Sequence, residues 1–307
     1  MTRRLTRDHH IYEFDPANPP ATDLSPGETL TVETHNCRTG TVTREDQLAD
    51  LVDVSKVNPA SGPIRVPEAE VGDILVVDIL DVRVAESGIM VVRPGITAFR
   101  HRFHEPQIKI VPIRDGHAIL SDRLRVPLHP MVGVVGVAPA GAAVPNLYGG
   151  EHGGNMDTRT IGAGSRVYLP VLVPGAMLAV GDVHAAQGEG EVFLSGVEIA
   201  AEIDLRVQVL KGVRMPTPLV ETADSIAPVS TGATLDEAAE DALNKAMDLL
   251  MELADMDFYE AGRLLSATGH LKISQYVPPT VMHCRVELPI SILAQLNFNL
   301  RQAVGAP

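Results

Sequence analysis

At 307 residues, 45% hydrophobic and 21% charged, the chain has the make-up of an ordinary globular protein, long enough to bury one large core or two closely packed ones. Its net charge of -14 argues against a nucleic-acid partner and gives no reason to expect an anionic membrane surface. No run is apolar enough to span a bilayer, and the start MTRRLTRDHH is followed by acidic, Pro-rich sequence where a signal peptide would need an apolar stretch.

With no Trp and only 4% aromatics, the core must rest on Val, Leu, Ile and Ala. The two cysteines, Cys37 and Cys284, lie far apart and make no disulfide framework, which fits a reducing cytoplasm. Through the first two thirds, 26 Gly and 23 Pro interrupt short apolar runs, the texture of many strands joined by tight turns. Strands are expected at 29–33, 74–84, 89–92, 108–113, 132–138, 166–173, 177–180, 191–195 and 202–210. A short internal echo, Gly27-x-x-Leu30-x-Val32, Gly72-x-x-Leu75-x-Val77 and Gly175-x-x-Leu178-x-Val180, would place His35 and His184 at comparable strand ends.

After Lys211 the character changes. Pro-rich sequence leads to Thr234-Leu-Asp-Glu237, which has capping-box spacing. Ala239, Leu243, Ala246, Leu250 and Leu253 then follow at helical intervals, and a second helix is expected from Asp257 through Leu265, stopping near Gly269. The fold expected is therefore mainly β, a β-sandwich or barrel-like core with an α+β portion containing two C-terminal helices. The division expected is a β domain over 1–212 carrying the polar motifs, with 213–307 supplying linker, helical pair and closing strands on the same core.

The chemistry concentrates in GDVHAAQGEGE at 181–191. Entered as a strand, it projects Asp182 and His184 from one face, half of a divalent-metal site or an acid/base pair. A solvated loop is the competing reading. His35 stands beside Glu33 and Cys37, and His152 beside Glu151, Asn155 and Asp157. No Gly-x-Ser-x-Gly elbow, Walker loop, Gly-x-Gly-x-x-Gly or His-Glu-x-x-His is present. A metal or a lone Cys nucleophile is left.

Asp182, His184 and His35 are the candidate metal ligands, for Zn²⁺ or another divalent ion such as Ca²⁺. Glu191 is the candidate proton carrier, with Asp157 beside it as a catalytic carboxylate. Asn155 and Gln187 could hold a neutral amide, and Gly188 gives backbone clearance for a small ligand. Cys37 attacking an amide directly is the rival mechanism.

Five motifs, VNPASGP at 57–63, VGDIL at 71–75, MVGVVGVAP at 131–139, GGNMD at 153–157 and GDVHAAQGEGE at 181–191, occur in the order and spacing of the acetamidase/formamidase family, which the chain resembles from about Glu28 to Leu288. The resemblance implies a cytoplasmic, homo-oligomeric hydrolase that splits short aliphatic amides such as formamide or acetamide, on a mainly β fold with divalent metal at the site. It maps the family's polar motif residues onto Asn155, Asp157, Asp182, His184, Gln187, Glu189 and Glu191. His35 falls where relatives are expected to carry an acidic residue, which points to a ligand set or substrate preference of its own. A non-catalytic relative that binds a small ligand or metal is the reading from another class.

Overall fold

The computed structural model describes residues 3–48, 54–277 and 281–305. Among them, strands alternate with turns through most of the chain and two large sheets form. The first has nine strands, ordered from edge to edge as Arg3–Leu5, Thr29–Thr34, Ala201–Leu210, Ile74–Val84, Arg166–Pro170, Leu219–Glu221, Ser225–Gly232, Met282–Pro289 and His270–Tyr276. The second places Leu178–His184 at its centre, flanked by Met131–Gly136, Ala60–Arg65 and Glu198–Ile199.

One apolar core lies between them. Leu30, Val32, Val77, Ile79, Ile203 and Leu205 face it from the first sheet, and Val132, Val135, Leu178, Val180 and Val183 from the second. Ala201–Leu210 alternates buried and half-exposed residues, as a strand with one wet face must. Met131–Gly136 and Leu178–His184 are buried at every position, so polar side chains on them are held inside the protein and need partners there.

Gly27, Gly72 and Gly175 each take a positive φ just before a strand, the turn that the echo requires. The first two copies lead into the nine-stranded sheet and the third into the other, so the three strands do not share one sheet.

Beyond residue 212 the first sheet continues, with Leu219–Glu221 pairing to Arg166–Pro170. Helix α1 (Leu235–Leu253) opens on the expected capping box, Thr234 accepting from the Glu237 amide while Glu237 caps back. Helix α2 (Phe258–Thr268) starts on Asp257 and stops at Gly269. The buried stripe of α1 is Ala238, Ala242, Ala246, Leu249 and Leu250, rotated from the expected one, and Leu243 is exposed. The small alanines face the strands Ser225–Gly232 and Met282–Pro289 that α1 packs on, while Leu243 turns to solvent.

The strand expected at 191–195 is a turn instead. Glu191 and Leu194 have left-handed backbones, φ 42° and 80°, and the Leu194 amide closes on the Glu191 carbonyl at 3.0 Å. Both angles lie outside the extended region, and here the chain folds back on itself.

Candidate metal centre and active site

The register of the second sheet builds the site. Val132 pairs with Val183 and Val134 with Gly181, leaving Gly133 opposite Asp182, whose φ is 53°. A Cβ on Gly133 would lie 2.6 Å from Asp157 Oδ1 and 2.8 Å from the Asp182 carbonyl oxygen. Only glycine leaves the two carboxylates room to approach. Asp157 and Glu191 also adopt left-handed backbones, at φ 42° each, so three site carboxylates take a conformation that L-residues other than Asn, Asp and Gly adopt at a cost.

His184 stands at the centre, fully enclosed. Its Nδ1 lies 2.6 Å from Gln187 Oε1, and Gln187 Nε2 donates to the Asp157 carbonyl at 3.1 Å. A backbone carbonyl only accepts, which fixes the Gln187 amide; its oxygen therefore faces Nδ1, which must carry a hydrogen. Nε2 points at three carboxylates: Glu198 Oε2 at 3.0 Å, Asp182 Oδ1 at 3.7 Å and Asp157 Oδ1 at 3.9 Å. All four of these atoms are buried and lack a hydrogen-bond partner. Ligand bonds of 2.0–2.2 Å in a tetrahedron separate their atoms by about 3.3–3.6 Å, the range these contacts bracket. Among the described residues two overlapping groups could hold an ion, Asp182–His184–Glu198 and Asp157–His184–Glu191.

The remaining oxygens are anchored. Asn58 donates to Asp182 Oδ2 at 2.6 Å, Ser195 to Glu198 Oε1 at 3.2 Å, and Gln275 to both Asp157 Oδ2 at 2.5 Å and Glu191 Oε2 at 2.9 Å. The Gly196 amide donates to Glu191 Oε1 at 2.9 Å. Gly190 bridges the strand that carries Gln275, through the Ser274 carbonyl and the Tyr276 amide.

Burial pushes Asp157 up to about 7, with Asp182 adding to it, and pushes Asp182 up to about 7, with Glu198 adding to it. Glu191 is raised well above the usual carboxylate range by burial and then by Asp157. Burial opposes the charged form of His184, but Glu198 and Asp182 outweigh it and hold the imidazolium well above its ordinary range. In each case the folded protein retains protons that the unfolded chain releases, so each contribution to stability is present at low pH and is lost as pH rises through the folded value. A divalent cation replaces those protons. The gain in Tm on adding Zn²⁺ to chelator-treated protein is therefore expected to grow from about pH 5 to about pH 8 as Asp157 and Asp182 ionise. A gain that is flat or shrinks over that interval, in a thermal melt series, contradicts a carboxylate-held ion.

Beside this cluster lies a cavity of ≈ 120 Å³ whose lining includes the polar Asn155, Asp157, Glu191, Glu198 and Gln275 and the apolar Val57, Val91, Ile96, Leu147 and Leu194. One water needs roughly 10–15 Å³ on this measure, so the space suits a molecule of a few heavy atoms. Asn155 Oδ1 is buried there without a partner. Cys37 also lines the cavity, and burial, then Glu198 and Asp182, hold its thiol well above the usual range.

The structure thus brings Asp157, Asp182, His184 and Glu191 together, with Asn155 at the cavity and Gln187 engaged in orienting His184. Gly188 is exposed and does not line the cavity. His35 joins neither ligand group; its ring packs edge-on against His10 at 5.2 Å, and burial lowers its pKa. Glu198 and Gln275 are not among the residues the sequence singles out, and Asn58 stands there only within the motif at 57–63. Glu198 had a signal, a lone carboxylate within Val197-Glu-Ile-Ala-Ala201, because charge in an apolar run is buried only with a purpose.

Residues 3–147 and 140–295 match the model of the Acetamidase/Formamidase family. The crystal structure of an acetamidase from Bacillus halodurans superposes with a TM-score of 0.93 at 39% identity, over 96% of this chain and 100% of that one. The formamidase of Methylophilus methylotrophus is 28% identical over 71% of this chain and 70% of its own length. The acetamidase of Mycolicibacterium smegmatis is 29% identical over 65% of each. The chain thus spans about two thirds of the length of these curated relatives.

Proposed function

Because the chain belongs to the acetamidase/formamidase family, we propose that it is an amidase hydrolysing the C–N bond of short aliphatic amides, formamide or acetamide, to a carboxylate and ammonia. The observation that carries this reading is the set of four unpartnered buried atoms on Asp157, Asp182, His184 and Glu198, of which Asp157 and Glu198 also line a cavity sized for a small molecule. Asp182, His184 and Glu198 would hold a divalent ion, and one imidazole nitrogen among oxygens suits Zn²⁺. When bound, such an ion lowers the pKa of water toward about 7 and polarises a carbonyl oxygen.

The chain's own residues do the rest. Asn155 Oδ1 accepts an N–H of the substrate amide and fixes its orientation. Glu191, its carboxyl raised by burial, takes the proton from the attacking water and delivers it to the nitrogen as the C–N bond breaks. Gln187 keeps the His184 ring in place, and Gln275 spans Asp157 and Glu191.

Metal analysis of the purified protein together with an ammonia assay on formamide and acetamide tests the proposal. Glu191→Gln is expected to lower kcat by about 10²–10⁴-fold with bound metal unchanged; full activity in this variant removes Glu191 from the reaction. A second reading rests on Cys37, whose thiol faces the same cavity. It requires turnover that survives chelation and vanishes in Cys37→Ala. The cytoplasmic location and homo-oligomeric state belong to the same proposal. Two buried free cysteines fit the first, and light scattering measures the second. No helix among the described residues is long and apolar enough to cross a membrane.

A further inference from the structure

The cavity is not lined by carboxylates and apolar groups alone. Two arginines, Arg38 and Arg93, form part of its wall. Arg38 is 5% exposed. Arg93 is half-buried at the end of Ser87–Val92, next to Ile96. The Arg93 side chain makes no hydrogen bond and no ion pair with any described residue, and in particular none with Asp157, Glu191 or Glu198, which line the same space. A guanidinium that served only to balance those carboxylates would be paired with one of them. Instead it is partly stripped of water and set beside a like charge, and its pKa is lowered by burial and then by Arg38. Such a group is retained at a cost unless an anion completes it.

We infer that the amide recognised by this cavity carries a second, anionic group, a carboxylate at the far end of a short acyl chain, received by Arg93. The inference rests on the amide-hydrolysing reading and sharpens its substrate class. The planar guanidinium fork matches a carboxylate in two parallel hydrogen bonds. Val91, Ile96 and Leu194 line the cavity with it and suit the intervening methylenes, while Asn155 and the carboxylate cluster receive the amide end. The volume of ≈ 120 Å³ limits the chain between the two ends to a short one.

The test compares malonamate with isovaleramide, its neutral isostere, and with acetamide, on metal-loaded enzyme, wild type and Arg93→Gln. The wild type is expected to favour malonamate over isovaleramide by about tenfold or more in kcat/KM, the scale of one charge-assisted contact. That ratio is expected to collapse in Arg93→Gln and to be partly retained in Arg93→Lys. A wild type that handles isovaleramide or acetamide at least as well as malonamate overturns the inference. So does a substitution that lowers all three amides equally, or one that only relieves inhibition by product acetate. If no amide is hydrolysed, the amidase reading fails, and the anion site is read separately by titration calorimetry with malonamate. Binding weakened about tenfold in Arg93→Gln upholds the site, and absence of binding to the wild type overturns it.

Discussion

His184→Ala is expected to lower amide hydrolysis by about a thousandfold or more, several kcal/mol of transition-state stabilisation at 1.36 kcal/mol per factor of ten, and to abolish stoichiometric metal. The reason lies in the geometry: His184 is the one residue common to both possible ligand groups, and its removal leaves a purely carboxylate cage. It also takes away the cation that offsets Asp182 and Glu198, so the variant loses stability as well. Asp182→Asn separates the two effects. It keeps the acceptor for Asn58 and deletes a buried negative charge, so the metal-free variant is expected to melt higher than metal-free wild type near neutral pH while activity is lost. Turnover unchanged by chelator in the wild type, together with an active His184→Ala, would leave the metal reading without support. Metal content by elemental analysis and ammonia release are the measurements.

The second large effect is on stability. Arg285 is wholly buried and makes two bonds to Glu189, at 2.8 and 2.5 Å, two to Glu287, at 2.9 and 2.7 Å, and one to Ser274 Oγ at 2.9 Å. Replacing it by methionine keeps much of the volume but leaves two carboxylates without their cation. Breaking a buried pair in this way costs about 3–5 kcal/mol, and since Glu189 and Glu287 reach solvent, the lower end, about 3 kcal/mol, is expected. Denaturant unfolding measures it, and a loss under about 1 kcal/mol would mean that the ion pairs contribute little beyond packing. Arg285 also ties Glu189, on the loop that carries Glu191, to Ser274, the neighbour of Gln275. Reduced kcat should therefore accompany the lost stability.

Much of this molecule could be read without coordinates, and the reasons are physical. The strand expected at 202–210 is Ala201–Leu210, set off as an apolar run between turns, and a capping box marked α1 because the free amides of a first turn need partners. The 181–191 stretch announced itself because so many polar groups cannot follow an apolar strand without a shared purpose. What stayed hidden depends on distance in sequence. Asn58 reaches Asp182 and Gln275 reaches Asp157 only through pairing of remote strands, and no local pattern encodes that meeting. His35 had an attractive neighbourhood in Glu33 and Cys37, yet its ring packs against His10 while Cys37, two residues on, lines the cavity. The turn at Glu191–Leu194 was hidden for a different reason: Val192, Phe193 and Leu194 are apolar enough for a strand, and the bonds that hold the Glu191 carboxylate, from Gly196 and Gln275, are made only in the folded chain.

The Gly190–Gln275 bridge has a consequence for how the protein matures. Asn58 lies near the start of the chain and Gln275 near its other end, and the carboxylates they steady lie between. Synthesis runs from the N-terminus, so a half-made chain can pair Leu178–His184 with its neighbours but leaves Asp157 and Glu191 unsupported on their far side. Asp157 and Glu191 thus gain the donor they share only after translation has passed the strand His270–Tyr276. That order of assembly would leave the site's chemistry, and any divalent ion it takes up, to the finished chain.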